Sequence, residues 1–315
     1  MTASDPIVTM IVPGRDIAAF APAALDSLRA QTEQRWLAIL IDDGSLDATG
    51  EIFADAAASD PRFRMIRHEA SRGLGAARNI GIDLVDTPLL GFLDGDDELT
   101  PTALARLTDT LARTGSDFAA GAYVRSRLQG DAYVPGRVQP WIEAATSPER
   151  LATTLSAHPR ASANIVAWSK VSRTEFWSDL RFPEDVSYED QIVAQRMYTR
   201  ARAFDVIPDT VVCWRIRADG TSITQSRAER PVLRDYLAAL RGGIRVLHEA
   251  GARDAVTARI ELILAMDVPP LVAIAANHPD PQYAAEVDAF VDEVRALPEF
   301  AAATPDPDLA AALAW

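Results

Sequence analysis

The chain has 315 residues, of which 48% are hydrophobic and 24% are charged, a composition typical of a globular protein rather than a disordered or fibrous one. A net charge of −14 at pH 7 excludes the broad basic surface on which nucleic-acid binding depends, although converging carboxylates would still bind a divalent cation. No apolar run of about 18 residues and no basic-then-apolar N-terminus is present, so we expect neither a membrane span nor a signal peptide. The single cysteine, Cys213, excludes an internal disulfide and favours a reducing cytoplasm.

The first hundred residues alternate between short apolar runs and helical patterns. The runs that predict buried strands are residues 7–12, 36–41, 63–66 and 87–93. The helices expected between them cover about 19–31, 47–58, where Asp47 can cap the helix, and 73–85. Continuous apolar strands separated by helices of this length indicate βαβ units and a parallel sheet covered on both faces. Ligands bind such sheets at the carboxyl ends of the strands.

The remainder of the chain divides into a mixed region and a helical one. The elements expected after residue 100 are a helix over 101–113, a strand near 118–124, an irregular stretch over 126–163, an ordered segment over 164–173, a helix over 189–200 and two short strands over 203–207 and 211–215. From about residue 231 the sequence is rich in alanine and leucine at helical spacing, with expected breaks at Gly242-Gly243 and Pro269-Pro270. We interpret this last region as a helical appendage.

An acidic cluster follows the fourth predicted strand. Asp94, Asp96 and Asp97 form the sequence Asp-Gly-Asp-Asp. Three carboxylates in four residues repel one another unless a cation or hydrogen-bond donors compensate, and Mg²⁺ or Mn²⁺ prefers such oxygen ligands. A cation there would neutralise a diphosphate leaving group. The alternative is an acidic turn that caps the next helix.

Two further acidic pairs have equally open interpretations. Asp42 and Asp43 follow the second strand in the sequence Asp-Asp-Gly-Ser, where a carboxylate either accepts hydrogen bonds from a nucleobase or ribose or caps the next helix. Glu189 and Asp190 lie at the expected start of a helix, where they either provide a general base or only place negative charge at the helix N-terminus.

The order of these motifs resembles glycosyltransferase family 2, the inverting enzymes of GT-A fold. Asp-Asp-Gly-Ser at 42–45 is followed by Arg-Gly-Leu-Gly-Ala-Ala-Arg-Asn at 72–79 and by Asp-Gly-Asp-Asp at 94–97. The resemblance continues through Tyr-Glu-Asp-Gln at 188–191, Arg-Ile-Arg at 215–217 and Thr-Ser-Ile at 221–223. It implies a Rossmann-like, mostly parallel α/β sheet flanked by helices, with a helical C-terminal appendage. The implied domains are a glycosyltransferase domain over 1–228, with a nucleotide-sugar-binding half over 1–100 and an acceptor-side half over 101–228, and a helical region over 229–315.

The resemblance assigns donor-binding roles to the carboxylates at the strand ends. Asp43 would hydrogen-bond the nucleobase, with UDP as the expected nucleotide, and Asp42 would support the same loop. Asp94 would lie beside the ribose or the donor sugar. Asp96 would bind the Mn²⁺ or Mg²⁺ ion.

Three further residues are implied on the donor side. Pro13 and Arg15 occupy the stretch in which many relatives carry Pro-x-Tyr-Asn, so Arg15 would stack on the base through its planar guanidinium in place of the tyrosine. Arg78 would face the donor side of the cleft, with a structural ion pair to a nearby aspartate as the alternative. No histidine occupies the position from which some relatives supply a late metal ligand.

Asp190 would be the general base, with Glu189 as the alternative. It would take the proton of an acceptor hydroxyl as that oxygen attacks the anomeric carbon. On the acceptor side, Lys170 would meet an acceptor phosphate or form a plain salt bridge. Trp141 and Trp177 would stack on sugar rings or belong to the core.

The implied function is metal-dependent, inverting transfer of a hexosyl or N-acetylhexosaminyl group from a nucleotide diphosphate sugar to a glycan or polyol-phosphate acceptor. Residues 140–141 and 164–170 also resemble bacterial cell-wall glycopolymer transferases of the teichoic-acid type. We expect a cytoplasmic protein without a nucleic-acid partner, with contact to the inner face of the plasma membrane left open. A homodimer through the helical region is the assembly we favour.

Two other functions compete with this interpretation. A non-catalytic module that binds nucleotide sugars or acts as a scaffold would have no need of Asp190. A nucleotidyltransferase also pairs an α/β sheet with aspartate-bound Mg²⁺, but it usually carries a basic glycine-rich loop after the first strand. Here that loop holds only Arg15. The two transferases differ in product, which is a nucleoside diphosphate for one and pyrophosphate for the other.

Overall fold

A computed structural model describes residues 5–217 and 226–303. Its first hundred residues form parallel strands in the order β3-β2-β1-β4, namely β1 (Val8–Gly14), β2 (Trp36–Asp42), β3 (Phe63–Arg67) and β4 (Leu89–Phe92). The connecting helices are α1 (Ala21–Arg29), α2 (Thr49–Ser59) and α3 (Leu74–Asp83). Asp47 accepts hydrogen bonds from the backbone and side chain of Thr49 at the start of α2. The predicted βαβ organisation and the Rossmann-like sheet are confirmed.

The parallel strands are buried because their sequences are apolar without interruption. Every residue of β1 is buried, and Val8, Ile11 and Val12 have no exposed surface. Leu25 and Leu28 of α1 are also buried in this core. Burying such a side chain stabilises a fold by about 1.5–3 kcal/mol, so these runs favour the centre of a sheet with helices on both faces.

The sheet continues as a mixed sheet beyond β4. Its further strands are β5 (Glu98–Leu99), β6 (Phe118–Gln129), β7 (Ala132–Val138), β8 (Arg150–Thr153), β9 (Lys170–Arg173) and β10 (Phe204–Ile216). β9 lies antiparallel between β4 and β6, and β10 runs parallel to β6. The helices in this half are α4 (Ala103–Thr114), α5 (Pro140–Thr146) and α6 (Asp190–Arg200).

The prediction of an irregular stretch over 126–163 is wrong. It contains the end of β6, all of β7, α5 and β8, and a 3-10 helix at Pro159–Ala163. The β6–β7 turn is made by Gly130, whose φ of +62° is readily adopted by glycine. Most side chains of β7 are exposed, so this strand carries no apolar pattern that would have revealed it.

The two short strands expected at 203–207 and 211–215 form one strand, β10. Its register against β6 shifts between Ile207 and Thr210, next to Pro208. Proline has no backbone N–H to donate to the ladder and is therefore confined to edges and bulges. Pro208 therefore marks an irregularity within one continuous strand.

The C-terminal region is helical, as predicted, with α7 (Arg230–Glu249), α8 (Arg253–Leu262), α9 (Val268–Ala275) and α10 (Pro281–Arg295). The expected break at Gly242-Gly243 is wrong, because α7 runs through both residues. A Cβ on Gly242 would lie 2.5 Å from Ile192 Cδ1 of α6, so this glycine allows two helices to pack closely. A π-helical segment, Ile263–Asp267, joins α8 to α9.

The helical region contacts the preceding region beside α6. Arg259 of α8 donates a hydrogen bond of 2.9 Å to Gln191, the residue after Asp190. The division at residue 228 and the homodimer stay predictions. The motif at 221–223 and the tail from residue 304 lie outside the described residues. Within the described ranges, no helix is both long and apolar enough to cross a membrane.

Candidate functional site

The residues predicted to bind the donor meet at the carboxyl edge of the parallel strands. β1 and β2 end side by side, since Gly14 pairs with Asp42 in the register. β4 lies on the other side of β1 and brings the acidic turn 94–97 to the same edge. Asp43 and this turn therefore share one end of the sheet, where ligands of such folds bind.

Asp43 organises the loop that follows β3. Its Oδ1 lies 2.8 Å from His68 Nδ1 and accepts a hydrogen bond of 2.9 Å from the Arg72 backbone. Its Oδ2 accepts hydrogen bonds from Ser71 Oγ at 2.7 Å and from the Gly73 backbone at 2.9 Å. Burial acts to raise the pKa of Asp43, but these hydrogen bonds together bring it below its ordinary value. Asp43 is therefore an ionised carboxylate that fixes the segment 68–73.

Asp42 and Gly44 support this arrangement from within the β2–α2 loop. Asp42 is fully buried, accepts a hydrogen bond from the Ser45 backbone at 2.9 Å and lies 3.2 Å from Arg67 Nε. Gly44 has a φ of +73°, and a Cβ on it would lie 2.7 Å from the Ser71 backbone nitrogen. Glycine is required there because the two loops approach so closely.

The β1–α1 loop packs against the acidic turn. Pro13 is buried, and its carbonyl accepts a hydrogen bond of 3.1 Å from Gly95. A Cβ on Gly95 would lie 2.4 Å from Ile17 Cδ1, which explains the glycine between the two aspartates. Arg15 is exposed and lies 3.6 Å from Asp16. Its stacking on a base stays a prediction.

The carboxylates of Asp94, Asp96 and Asp97 converge, each offering an oxygen within 4.8 Å of the others. Asp97 is buried and accepts a hydrogen bond of 2.8 Å from the Arg215 backbone; burial, with Asp96 and Asp94 nearby, raises its pKa well above the ordinary value. Arg217 donates to a single oxygen of Asp96 through Nε at 3.0 Å and Nη2 at 2.7 Å. Three clustered carboxylates are a donor set that fits a hard divalent cation.

Arg78 links the acidic turn to the N-terminus of α6. It is almost fully buried and donates to Asp94 Oδ1 at 2.5 Å and to Glu189 Oε1. Its guanidinium also lies 5.2 Å from the centre of the Phe182 ring. Burial alone would lower the pKa of Arg78, but the neighbouring carboxylates raise it above its usual range. Arg78 was predicted either to face the donor side of the cleft or to form an ion pair with a nearby aspartate, and the structure contains the ion pair.

The segment before α6 is held by α3. Asn79 donates to the carbonyl of Phe182 at 2.9 Å and to Glu184 Oε1 at 3.0 Å, and its Oδ1 accepts from the Phe182 backbone at 2.9 Å. A Cβ on Gly75 would lie 2.0 Å from the Pro183 carbonyl oxygen. The glycine-rich stretch 72–79 thus contacts protein backbone at Gly75. Together with the ion pair of Arg78 and Glu189, these contacts hold the start of α6 against α3.

Glu189 and Asp190 have different environments although they are adjacent. Glu189 is buried and its carboxylate is occupied by Arg78. Asp190 is partly exposed at the start of α6, and among the described residues its carboxylate has no hydrogen-bond or ion-pair partner. Burial of its carboxyl group, reinforced by Glu189 and opposed by Arg78, raises the pKa of Asp190 to about 7. Asp190 therefore matches a general base better than Glu189 does.

Two residues that contact the predicted site were not assigned to it from the sequence. His68 directly follows Arg67, which pairs with Asp42 in the register of β2 and β3. Counting one residue further places His68 beside Asp43, so strand register was the signal that could have found it. Arg217 belongs to the Arg-Ile-Arg motif, but its contact with Asp96 joins residues too far apart in sequence to be inferred from spacing.

Lys170 and Trp177 are both buried. Lys170 is buried, and its Nζ donates to the carbonyls of Asn164 at 2.7 Å and Val166 at 2.6 Å. Burial lowers the pKa of Lys170 to about 7. Trp177 is buried, with its ring stacked 5.5 Å from that of Phe182. Trp177 therefore belongs to the core, the second of its two predicted roles. None of the described residues forms a salt bridge with Lys170, and its contact with an acceptor phosphate stays a prediction.

Comparison with known proteins identifies the family. Residues 9–172, just over half of the chain, match the model described as Glycosyl transferase family 2. The chain belongs to glycosyltransferase family 2. The matched stretch contains the strand-end carboxylates and Arg78 but ends before Glu189 and Asp190, so the family model leaves these last two to be judged by geometry.

Individual proteins are similar to this chain in sequence or in fold. The uncharacterized glycosyltransferase EpsJ of Bacillus subtilis (strain 168) is 33% identical over 190 residues, which is 59% of this chain and 54% of EpsJ. The chain thus spans about half the length of that relative. The crystal structure of S. aureus TarS 1-349 in complex with UDP-GlcNAc matches with a TM-score of 0.73 at 18% identity, covering 91% of this chain and 81% of the other.

A second solved structure carries a metal ion. The mannosyltransferase PcManGT from Pyrobaculum calidifontis, in complex with GDP-Man and Mn²⁺, matches with a TM-score of 0.57 at 18% identity. It covers 98% of this chain and 86% of the other. At these identities the likeness shows the fold, and the predicted GT-A architecture of this family 2 protein is confirmed.

Proposed function

We propose that this protein transfers a sugar from a nucleoside diphosphate donor, with UDP as the expected nucleotide, to a hydroxyl acceptor with inversion at the anomeric carbon. The observation that carries the proposal is the position of Asp190. In the part of the chain that the structure describes, the carboxylate of Asp190 has no protein partner. It lies at the same end of the sheet as the cluster of three carboxylates, because Arg78 pairs both with Asp94 and with Glu189, the residue before Asp190. Inverting transfer needs one carboxylate that is free to act as a base and a separate site that stabilises the leaving group.

The residues of this chain divide the work of the reaction. Asp94, Asp96 and Asp97 would hold a divalent cation, whose chemistry when bound is to neutralise charge on the diphosphate. Asp190 would take the acceptor proton while the acceptor oxygen forms its bond to the anomeric carbon and the bond to the diphosphate breaks. Arg78 would prevent Glu189 from acting as the base, because it forms an ion pair with the Glu189 carboxylate.

Asp43 would have less hydrogen-bonding capacity left for a nucleobase than the resemblance implies. A carboxylate offers about four acceptor positions, and those of Asp43 face His68, Ser71 and the backbone at 72 and 73. A nucleobase N–H would therefore have to replace one of these partners. The segment 68–73 held by Asp43 would otherwise form the wall of the pocket.

The acceptor we propose is a glycan or polyol phosphate of a bacterial surface polymer, on the strength of the resemblance to cell-wall glycopolymer transferases. The two competing functions have less support. A scaffolding module would not need, at position 190, a carboxylate that has a raised pKa and no partner among the described residues. A nucleotidyltransferase would need more cationic groups than Arg15 in the β1–α1 loop to bind a triphosphate.

Calorimetric titration with UDP, CDP, GDP and dTDP, each with and without Mn²⁺, tests the donor half. We expect one nucleotide to bind, and to bind more tightly with the metal. Incubation of the matching nucleotide sugar with candidate acceptors should then release the free nucleoside diphosphate. Absence of binding by all four nucleotides would refute the proposed donor site, and release of pyrophosphate from nucleoside triphosphates would favour the nucleotidyltransferase.

Asp96→Asn is expected to weaken Mn²⁺-dependent nucleotide binding by at least about tenfold, because an amide oxygen is a weaker ligand than a carboxylate for a hard cation. The measurement is the difference in nucleotide Kd with and without Mn²⁺. Asp55→Asn, on the exposed face of α2, is the matched control and should change neither value. Unchanged affinity in the Asp96 variant would remove this residue as a metal ligand.

The rate of transfer is expected to fall at low pH, since Asp190 must be ionised to accept a proton. The charged groups facing Asp190 are Glu189, Arg78, Asp94 and Lys170, and burial together with these neighbours raises its pKa to about 7. Below that pH, kcat/KM should fall roughly tenfold per unit, and above it the value should level off. The profile is measured from pH 5.5 to 8.5, and a flat one would exclude Asp190 as the base.

A further inference from the structure

A group of aromatic side chains lies on one face of the mixed half of the sheet. The ring of Tyr123 lies 4.8 Å from that of Trp168 and 6.4 Å from that of Trp214, and the two tryptophan rings are 6.1 Å apart. Trp214 on β10 pairs with Arg125 on β6. Tyr123 and Arg125 are two residues apart on the same strand and therefore share this face.

Arg125 lies against two indole rings. Its guanidinium lies 5.0 Å from the Trp214 ring and 5.6 Å from the Trp141 ring. Its Nε is buried and has no hydrogen-bond partner, and none of the described residues offers it a carboxylate within ion-pair distance. The buried arginines Arg78 and Arg259, by contrast, each have an acidic partner.

The surroundings of Arg125 are cationic in a chain whose net charge is −14. Burial lowers the pKa of Arg125, and the nearby charges of Arg127 and Arg227 lower it further. Arg227 donates to Tyr188 Oη at 3.4 Å and lies 4.5 Å from the centre of the Tyr236 ring. Because Tyr188 is two residues before Asp190, this positive region extends towards the proposed base.

The position of Asp190 also connects it to the aromatic group. Its negative charge contributes to the raised pKa of Tyr123, of which burial is the larger cause. A molecule that places a hydroxyl beside Asp190 and extends past Tyr123 along β6 would bring its other end towards the guanidinium of Arg125.

We propose that Arg125, Trp141 and Trp214 form an acceptor subsite for a saccharide or polyol that carries a phosphate or a carboxylate. The proposal rests on the proposed glycosyl transfer and specifies its acceptor. A partly buried guanidinium without a partner is unfavourable by itself, and an anion with two oxygens matches its planar donors. The apolar face of a sugar ring would pack on the indoles beside it.

The test compares charged and uncharged sugars as probes of the full chain. Glucose 6-phosphate, glucuronate and glucose are titrated while tryptophan fluorescence is recorded, with Mn²⁺ and the preferred nucleotide present. We expect at least one charged sugar to bind ten or more times more tightly than glucose, and the two charged probes distinguish a phosphate from a carboxylate. Equal affinities for all three sugars would overturn the proposal.

Arg125→Met keeps an unbranched side chain over the indoles but removes the charge. It should abolish the preference for the charged sugar while leaving Mn²⁺-dependent nucleotide binding and the affinity for glucose unchanged. Arg125→Lys should retain part of the preference for the charged sugar. It replaces Arg125→Met in the test if the methionine variant does not fold. Arg64→Met is the matched control, because Arg64 is exposed and lies on β3 at the other edge of the sheet.

The outcomes for the subsite and for the donor site are separable. Nucleotide binding without any charged-sugar preference would overturn the subsite and leave the glycosyltransferase proposal standing. A charged-sugar preference that depends on Arg125 in a protein that binds no nucleotide would support the subsite and refute the donor site. Retention of the preference in Arg125→Met would assign Arg125 to aromatic packing alone.

Discussion

Asp190→Asn is expected to abolish sugar transfer while leaving the binding of nucleotide and metal nearly unchanged. The amide has the shape of the carboxylate but cannot accept the acceptor proton. General-base catalysis typically contributes about 10²–10⁴-fold, so turnover should fall by at least about 100-fold. The measurement is kcat for nucleoside diphosphate release, with the nucleotide Kd determined in parallel by calorimetry.

Glu189→Gln is the comparison that separates the two adjacent carboxylates. Glu189 is buried and occupied by Arg78, so its loss should lower the stability of the protein more than its catalytic rate. Near-native turnover in Asp190→Asn together with a large loss in Glu189→Gln would assign the base to Glu189 instead. A loss of nucleotide affinity in the Asp190 variant would mean that this residue belongs to the donor site.

Stability gives a second readout of the same substitution. The pKa of Asp190 is higher in the folded protein than in an unfolded chain, so the folded state binds more protons and its stability falls as the pH rises from about 4 to about 7. Asparagine removes this penalty. At pH 8 the Asp190→Asn variant should therefore unfold at the same temperature as the parent or a higher one, and any gain should vanish below about pH 4.

The donor half of the fold was predictable because the sequence pattern of each strand and helix agrees with its place in the sheet. The apolar runs of β1 and β2 occur without alternation, and an acidic cluster begins where the apolar residues end. The end of an apolar run therefore predicts both the end of a strand and the position of a site residue. The β7 strand was not predictable in this way, because its exposed side chains follow no apolar period. Gly242 was misinterpreted because a glycine that breaks an isolated helix and a glycine that lets two helices touch are identical in sequence.

The site was predictable in its components but not in its pairings. The motifs indicated which carboxylates matter, yet the contact of Arg78 with Glu189 spans 111 positions and that of Arg217 with Asp96 spans 121. No periodicity relates residues at such separations, and only the packed fold brings them together. The choice between Asp190 and Glu189 depends on one of these pairings, so the sequence left it open.

Arg78→Met is expected to destabilise the protein by about 3–5 kcal/mol, the usual effect of removing one partner from a buried ion pair. Arg78 neutralises Glu189 and Asp94 together, and Asp190 lies close enough for its charge to act on Arg78 as well. Without the guanidinium these carboxylates repel one another with little solvent to screen them. Urea denaturation at pH 8 provides the free energy of unfolding.

Two features of this loss distinguish a charge effect from lost packing. Arg78 also lies against the Phe182 and Phe92 rings, and methionine retains most of that apolar contact. The loss should therefore shrink at pH 5, as the crowded carboxylates take up protons, and the double variant Arg78→Met with Glu189→Gln should be more stable than Arg78→Met alone. Arg78→Lys should rescue only part of the loss, because an ammonium lacks the fork that reaches two carboxylates at once.

Arg200→Met is the matched control for the loss of an arginine ion pair. Arg200 pairs with Asp179 at the surface, where the two side chains are 40% and 68% exposed. Exposed pairs of this kind contribute at most about 1 kcal/mol, so the control should unfold close to the parent. Equal losses of stability in Arg78→Met and Arg200→Met would contradict the claim that Arg78 neutralises buried carboxylates.

Added Mn²⁺ should stabilise Arg78→Met more than the parent, since a cation among Asp94, Asp96 and Asp97 would replace part of the positive charge that the arginine supplied.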